Sequence, residues 1–296
     1  MKRMITEYVY DFSKKNEPAA KVKPGEEVKF KTLDCFSDQI KREEQLVTSL
    51  DFDKVNPATG PVYIEGAEPG DTIAVEILSI KIEDQGVVST LPDTGSLIAN
   101  AETRTKIVPI REGKAIFNDL EFPVKPMIGV IGVAPREGSI ACGYVGFHGG
   151  NMDNNRIMEG SKVFFPVNVP GALLQLGDLH ATMGDGEICG TGIEIAGEVT
   201  VRFHLIQDFP IERPVLETHD DWYTIASARE YTEALRLVTE DMQNLIVDAY
   251  GWDATDAYLY MSIQGNVEIC QGCRPSSWDI ILRFSVPKIE GKPLII

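Results

Sequence analysis

Long apolar runs are missing from the chain. Nowhere do about 18 consecutive apolar residues occur, and this excludes a transmembrane helix. The opening Met1-Lys2-Arg3-Met4 leads into polar Thr6-Glu7-Tyr8, not into the apolar stretch of a signal peptide. A cytoplasmic protein is therefore expected. Basic charge is scarce as well. Lys and Arg number 28 against 45 Asp and Glu, for a formal net charge of -17. That balance argues against a nucleic-acid partner and against docking on an anionic membrane, since both need a basic surface. A neutral or cationic small molecule, or a metal ion, suits it better. Cysteines are few and odd in number, five in all, which fits reduced thiols better than a disulfide framework.

What the chain does have is short alternating segments punctuated by Gly and Pro. Asp71 to Ile77 alternates as a half-buried strand should, after a turn at Pro69-Gly70. The phase then slips to Leu78, Ile80 and Ile82, and a β-bulge near Ile77-Leu78 explains the slip. Further strands are predicted at Lys114 to Phe117, Met127 to Val133, Lys162 to Val167, Ala172 to Leu176 and Glu198 to Leu205. In the last, Val199, Val201, Phe203 and Leu205 share one face.

The texture changes near Asp220. Ser227 to Tyr250 has neither Gly nor Pro, and its apolar residues recur at steps of three and four, so a helix is predicted. Ser227 with Glu230 reads as a capping box, and Gly251 as the stop. A short helix at 254–261 and a strand from Asp279 to Val286 follow. The fold class is mainly β, with a sandwich or jelly-roll-like body over 1–220 and an α+β part over 221–296 packed on it.

Chemistry concentrates between Gly177 and Gly197, where six of 21 residues are glycine. Such density lets backbone approach a ligand closely. Asp178, His180, Asp185, Glu187 and Glu194 sit among these glycines. In an extended backbone Asp178 and His180 project from the same face, as a two-ligand start for zinc or a similar ion. A second block, Phe147-His148-Gly149-Gly150-Asn151-Met152-Asp153, adds His148, Asn151 and Asp153 as candidate ligand or hydrogen-bonding groups. A third runs from Asn56 to Asp71 and is mostly turn punctuation. Asp34 is a further candidate ligand.

The remaining groups are weaker candidates. Cys270-x-x-Cys273 has zinc-ribbon spacing but no second pair, so both thiols read as structural. Cys142 and Cys189 lie near the glycine blocks in sequence and are candidate nucleophiles if a base adjoins them. His204, next to Arg202 on a strand, reads as a surface group. His219 is either solvated among acids or a ligand.

The motifs match a known pattern. Gly177-Asp178-Leu179-His180-Ala181, Gly184-Asp185-Gly186-Glu187 and Gly192-Ile193-Glu194 resemble the hallmark of the acetamidase/formamidase family. His148 to Asp153 is similar to its second motif. Asn56-Pro57-Ala58-Thr59-Gly60-Pro61 with Glu65-Gly66-Ala67 is similar to its N-terminal one. The blocks fall in the family's order, and the likeness covers essentially the whole chain. It implies hydrolysis of a short aliphatic amide to ammonia and a carboxylate, a β-rich fold, a homo-oligomer (often a dimer), and a bound divalent metal, zinc first and calcium second. The family commonly has Gln where this chain has Met183, a departure expected to alter the pocket wall.

The residues then take expected roles. Asp178 and His180 bind the metal, with Glu194 or Asp153. Glu187 or Asp185 shuttles the proton. Asn151 and the N–H groups near Gly149-Gly150 stabilise the oxyanion. Two alternatives stand beside this: an amidase with a cysteine nucleophile, and a jelly-roll module that binds calcium without catalysis.

Overall fold

Side-chain alternation sets the layers of the molecule. A computed structural model describes residues 3–295. In strand Gly197–Ile206, Val199, Val201 and Phe203 enter one apolar core. Thr72–Ile82 pairs with it, and the register skips Leu78, because Thr200 faces Ser79 and Val201 faces Ile77. This is the bulge that the phase slip predicted. It keeps Ile73, Val75, Ile77 and Ile80 all in the same core.

These strands belong to a nine-stranded sheet. Its order is Arg3–Ile5, Glu27–Thr32, Gly197–Ile206, Thr72–Ile82, Lys162–Pro166, Val215–Glu217, Asp221–Ala228, Ile280–Pro287 and Asn266–Gln271. Both of its faces are buried. One shares its core with a second, twelve-stranded sheet, through Ile128, Ile131, Leu174, Leu176 and Leu179 of that sheet. The other face offers Ala74, Phe164, Trp222, Leu282, Phe284 and Val286 to two helices. The result is a two-sheet sandwich with a helical layer outside, in line with the expected class.

Helix α1 spans Tyr231–Tyr250 and buries Ala234, Val238, Met242, Leu245 and Ile246. Its start differs from the expected capping box. Ser227 is a ladder residue of Asp221–Ala228, opposite Ile281, and Glu230 takes the N-cap position without a side-chain cap bond. Gly251 ends the helix in the left-handed region, φ 67°, where the absence of Cβ removes the steric cost. Helix α2, Ala254–Gln264, begins under Asp253, whose carboxylate accepts from the backbone N–H of Thr255 and Asp256. No helix among the described residues is long and apolar enough to cross a membrane.

The second sheet positions the glycine-rich blocks. At its centre Leu174–His180 pairs with Met127–Gly132 on one side. This strand starts later than the predicted Ala172, because Ala172 and Leu173 both have φ 57°. On its other side the partner changes. Ala58–Ile64 pairs with Leu174 to Gly177, and Glu194–Ile195 pairs with Leu179 and His180. The change falls at Asp178, whose own φ is 54°. The sheet splits there, and the site lies at the split.

Candidate active site

The split brings distant acids together. His180 and Glu194 are direct cross-strand neighbours, and Nε2 of His180 lies 2.9 Å from Oε2 of Glu194. The same nitrogen is 3.5 Å from Asp178 Oδ1 and 4.0 Å from Asp153 Oδ1. Asp153 arrives from the turn after strand Gly149–Asn151, where its N–H and that of Met152 donate to the Gly129 carbonyl. Gly129 is required at this point. A Cβ there would stand 2.6 Å from Asp153 Oδ1 and 2.7 Å from Asp178 Oδ2.

Glu187 completes the set of acids. Its turn is docked by the Gly186 N–H on the Cys270 carbonyl and by the Gly272 N–H on the Gly186 carbonyl. That docking presents Gln271, whose Nε2 donates to both Asp153 Oδ2 and Glu187 Oε2 at 2.7 Å. Cys35 enters from the loop after Glu27–Thr32, its carbonyl held by the Asn56 N–H. Its sulfur, an oxygen of Asp178 and one of Glu194 lie within 4.8 Å of one another, as do ligand atoms of Asp153, His180 and Glu187. Cys35, Asp153, Asp178, His180, Glu187, Glu194 and Gln271 are each between 1% and 7% exposed. Neither Cys35 nor Gln271 was expected from the motifs.

The electrostatics are unbalanced. Four carboxylates share one imidazole, and among the described residues no Lys or Arg lines the cavity they face. Burial raises Glu187 to about 7 and Glu194 to about 8, with His180 opposing in both cases. Burial also lifts Asp153 well above the carboxylate range, and neighbouring Glu187 and Asp178 add to it. His180 is pushed down by burial but held well above its ordinary value by Glu194 and Asp178. Cys35 is raised by burial and by the same two acids. Several buried atoms lack a hydrogen-bond partner among the described residues: Asp153 Oδ1, Asp178 Oδ1, Glu194 Oε2 and His180 Nδ1. The Glu194–His180 contact is thus close but not aligned as a hydrogen bond. Lone pairs that converge without donors suit a cation.

The other expected residues fall in different places. Asp185 leaves the cluster, and both its oxygens accept from Arg283 Nη2 at 2.9 and 2.8 Å. Arg283 is fully buried and also binds Glu268, Asn154 and Asn155. Asn151 lines the cavity with its Oδ1 unpartnered. Gly149 and Gly150 are ladder residues between Met127–Gly132 and Val145–Gly146 and do not line the cavity, so the block offers it Asn151 instead. Met183 is buried but is also absent from the lining, which corrects its expected part in the wall. Asp34 accepts from the Asp38 N–H and serves its own turn. His219 is solvent-exposed beside Asp220, and His204 pairs with Glu76.

The cavity above the cluster holds about 420 Å³. Buried carboxylates, an imidazole and a thiol line it together with the amides of Asn151 and Gln271, a set that can hold a divalent ion and move a proton.

A sequence profile of the Acetamidase/Formamidase family matches residues 12–141 and 146–269. A solved structure from Thermoanaerobacter tengcongensis, described as a predicted acetamidase/formamidase, superposes with a TM-score of 0.93. It is 44% identical, over 97% of this chain and 96% of that one. A provisional formamidase of Schizosaccharomyces pombe is 30% identical over 64% of this chain and 62% of its own length. The formamidase of Methylophilus methylotrophus is 28% identical over 67% and 65%. The chain therefore spans less than two thirds of the length of these two curated relatives. With the profile covering most of the sequence, the chain belongs to the acetamidase/formamidase family.

Proposed function

We propose that the chain hydrolyses the C–N bond of a small primary amide, giving ammonia and a carboxylate, with a divalent metal at the buried cluster. The observation that carries this reading is the convergence of Asp153, Asp178, Glu194 and His180 with unpartnered atoms at the closed end of a cavity. The names of the formamidase relatives agree with it. Imidazole, carboxylate and thiol donors together favour zinc; the carboxylates alone would also take calcium. The ion would supply Lewis acidity and bring the pKa of a water down to about 7.

The chain's own residues do the rest. Glu187, raised to about 7 by burial, takes the proton of the attacking water and returns it to the departing nitrogen. Gln271 holds Glu187 and Asp153 in register through its two short bonds. Asn151 faces the substrate amide. Asp185 anchors the Gly184–Glu187 turn to Arg283 and leaves the shuttle to Glu187. A thiol nucleophile is the weaker reading. Burial pushes Cys142 up to about 12, and Gln175 donates to its sulfur. The Cys189 thiol turns to backbone carbonyls of Ser89 and Thr191. The setting that goes with the proposal is a cytoplasmic homodimer, which sedimentation of the purified protein checks.

The test is ammonia release from formamide and acetamide alongside metal analysis. Stripping with chelator should abolish release, and zinc should restore it. Full activity in metal-free protein would remove the metal from the reading. No ammonia under any metal would overturn the reading itself.

A further inference from the structure

The cavity is far larger than the smallest amides need. Formamide and acetamide have a handful of heavy atoms, the bulk of two or three waters at about 30 Å³ each. The 420 Å³ present here lies within the roughly 300–1,000 Å³ typical of pockets that enclose drug-sized ligands. Most of its polar lining is the buried cluster, with Asp53, Asn56 and Thr191 in addition, and the rest of its wall is largely apolar and aromatic. Phe36, Val47, Val55, Leu91, Tyr144 and Trp278 supply that wall.

The wall is built in advance of any ligand. Phe36 and Val47 are buried, and they form a small core with Cys35, Ile40 and Val87, against which Leu91 packs. The same loop segment thus carries Cys35 into the cluster and Phe36 into the wall. Tyr144 is 54% exposed and stands at the mouth. Among the described residues no Lys or Arg lines the cavity, whereas Asp53 does, in addition to the four cluster acids. Away from His180 and the metal-binding cluster, a substrate carboxylate entering here would meet only acidic charge. At the inner end Asn151 Oδ1 is buried without a donor, and a carboxamide N–H can fill that place.

We infer that the preferred substrates are uncharged primary amides with a phenyl-sized apolar acyl group, held with the carboxamide at the cluster and the apolar group against the wall of Phe36, Val47, Val55, Leu91, Tyr144 and Trp278. The inference rests on the amide-hydrolase reading above and refines it. The reaction balances as simple hydrolysis: the C–N bond breaks, water supplies OH to the carbonyl carbon, and its one remaining proton goes to the leaving nitrogen, which departs as ammonia.

The experiment compares kcat/KM for acetamide, phenylacetamide and succinamate with the full-length, metal-loaded protein. Phenylacetamide should exceed acetamide by about tenfold or more, the discrimination that a methylene or two gives in an apolar pocket. Succinamate, of similar reach but anionic, should rank last. Val55→Trp, which fills the outer space, should lower the phenylacetamide-to-acetamide ratio about tenfold. Acetamide equal to or above phenylacetamide would overturn the inference and leave the amidase reading standing. If no amide releases ammonia the amidase reading falls, and calorimetry decides the cavity separately. Phenylacetamide binding at one per chain, weakened by Val55→Trp, would support the wall assignment; no binding would overturn it.

Discussion

Asp185 and Glu187 stand two residues apart and face different partners, and single substitutions should separate them. Glu187→Gln should lower kcat about 10² to 10⁴-fold, the usual worth of a positioned acid–base group. Asp185→Asn should leave the rate nearly unchanged but cost about 1–3 kcal/mol of stability, since it removes a charged partner from the buried Arg283. Ammonia release and urea midpoints on both variants check this, and equal rate losses would return Asp185 to the shuttle. His148 offers a test by pH. It is fully buried with neither ring nitrogen hydrogen-bonded among the described residues, and burial pushes it down from 6.5 to about 4. The unfolded chain therefore binds the extra proton first. The stability tied to neutral His148 is complete above pH 6.5 and is lost as pH falls toward 4. The full difference is about 3 kcal/mol. His148→Phe keeps the ring packed against Phe12 and should gain on the wild type across that window; parallel curves in urea would refute the assignment.

At the scale of elements, the clearest parts of the fold were those fixed by local alternation. The skipped Leu78, the strand Lys114–Phe117 and the Gly251 stop were all legible in the sequence. Ser227 was not, because its pattern with Glu230 suits a cap while the ladder opposite Ile281 claims its backbone. Asp178 and His180 share a destination as the alternation implied, yet the reason includes a left-handed residue where the strand changes partner. No residue pattern announces that change. Gly129 belongs to the same lesson: it sits mid-strand in an apolar stretch, and the two carboxylates and the Asp178 carbonyl beside it explain it. Gly129→Ala should push Asp153 and Asp178 apart, cut kcat/KM by about 10²-fold or more and lower the zinc content of purified protein. Retained metal and rate would show that the strand can yield.

Across the whole molecule, the members of the cluster come from separate places in the chain. Cys35 was hidden beside the more obvious Asp34, and Gln271 lay between two cysteines that drew attention as a pair. Their distance in sequence from Asp178 left no local signal. The charge they help to confine has a thermodynamic consequence. Four buried acids with one imidazole among them are left short of positive charge in the metal-free chain, so an ion that binds only the folded state should stabilise it by about 2.7 kcal/mol at a hundredfold excess over its Kd. Chelation should then lower the Tm by roughly 5 °C, and zinc should restore it. A Tm indifferent to chelator would indicate that the acids stay protonated and need no ion.

Gln271 reaches the cluster from the edge strand of the nine-stranded sheet, while His180 and Glu194 belong to the other sheet. The buried cluster therefore lies at the seam at which the two halves of the sandwich certify each other. A chain with one sheet formed and the other still loose has acids but no organised site. Turnover should thus return only at the end of refolding, so the rate of ammonia release reports completed assembly in a way that strand content does not.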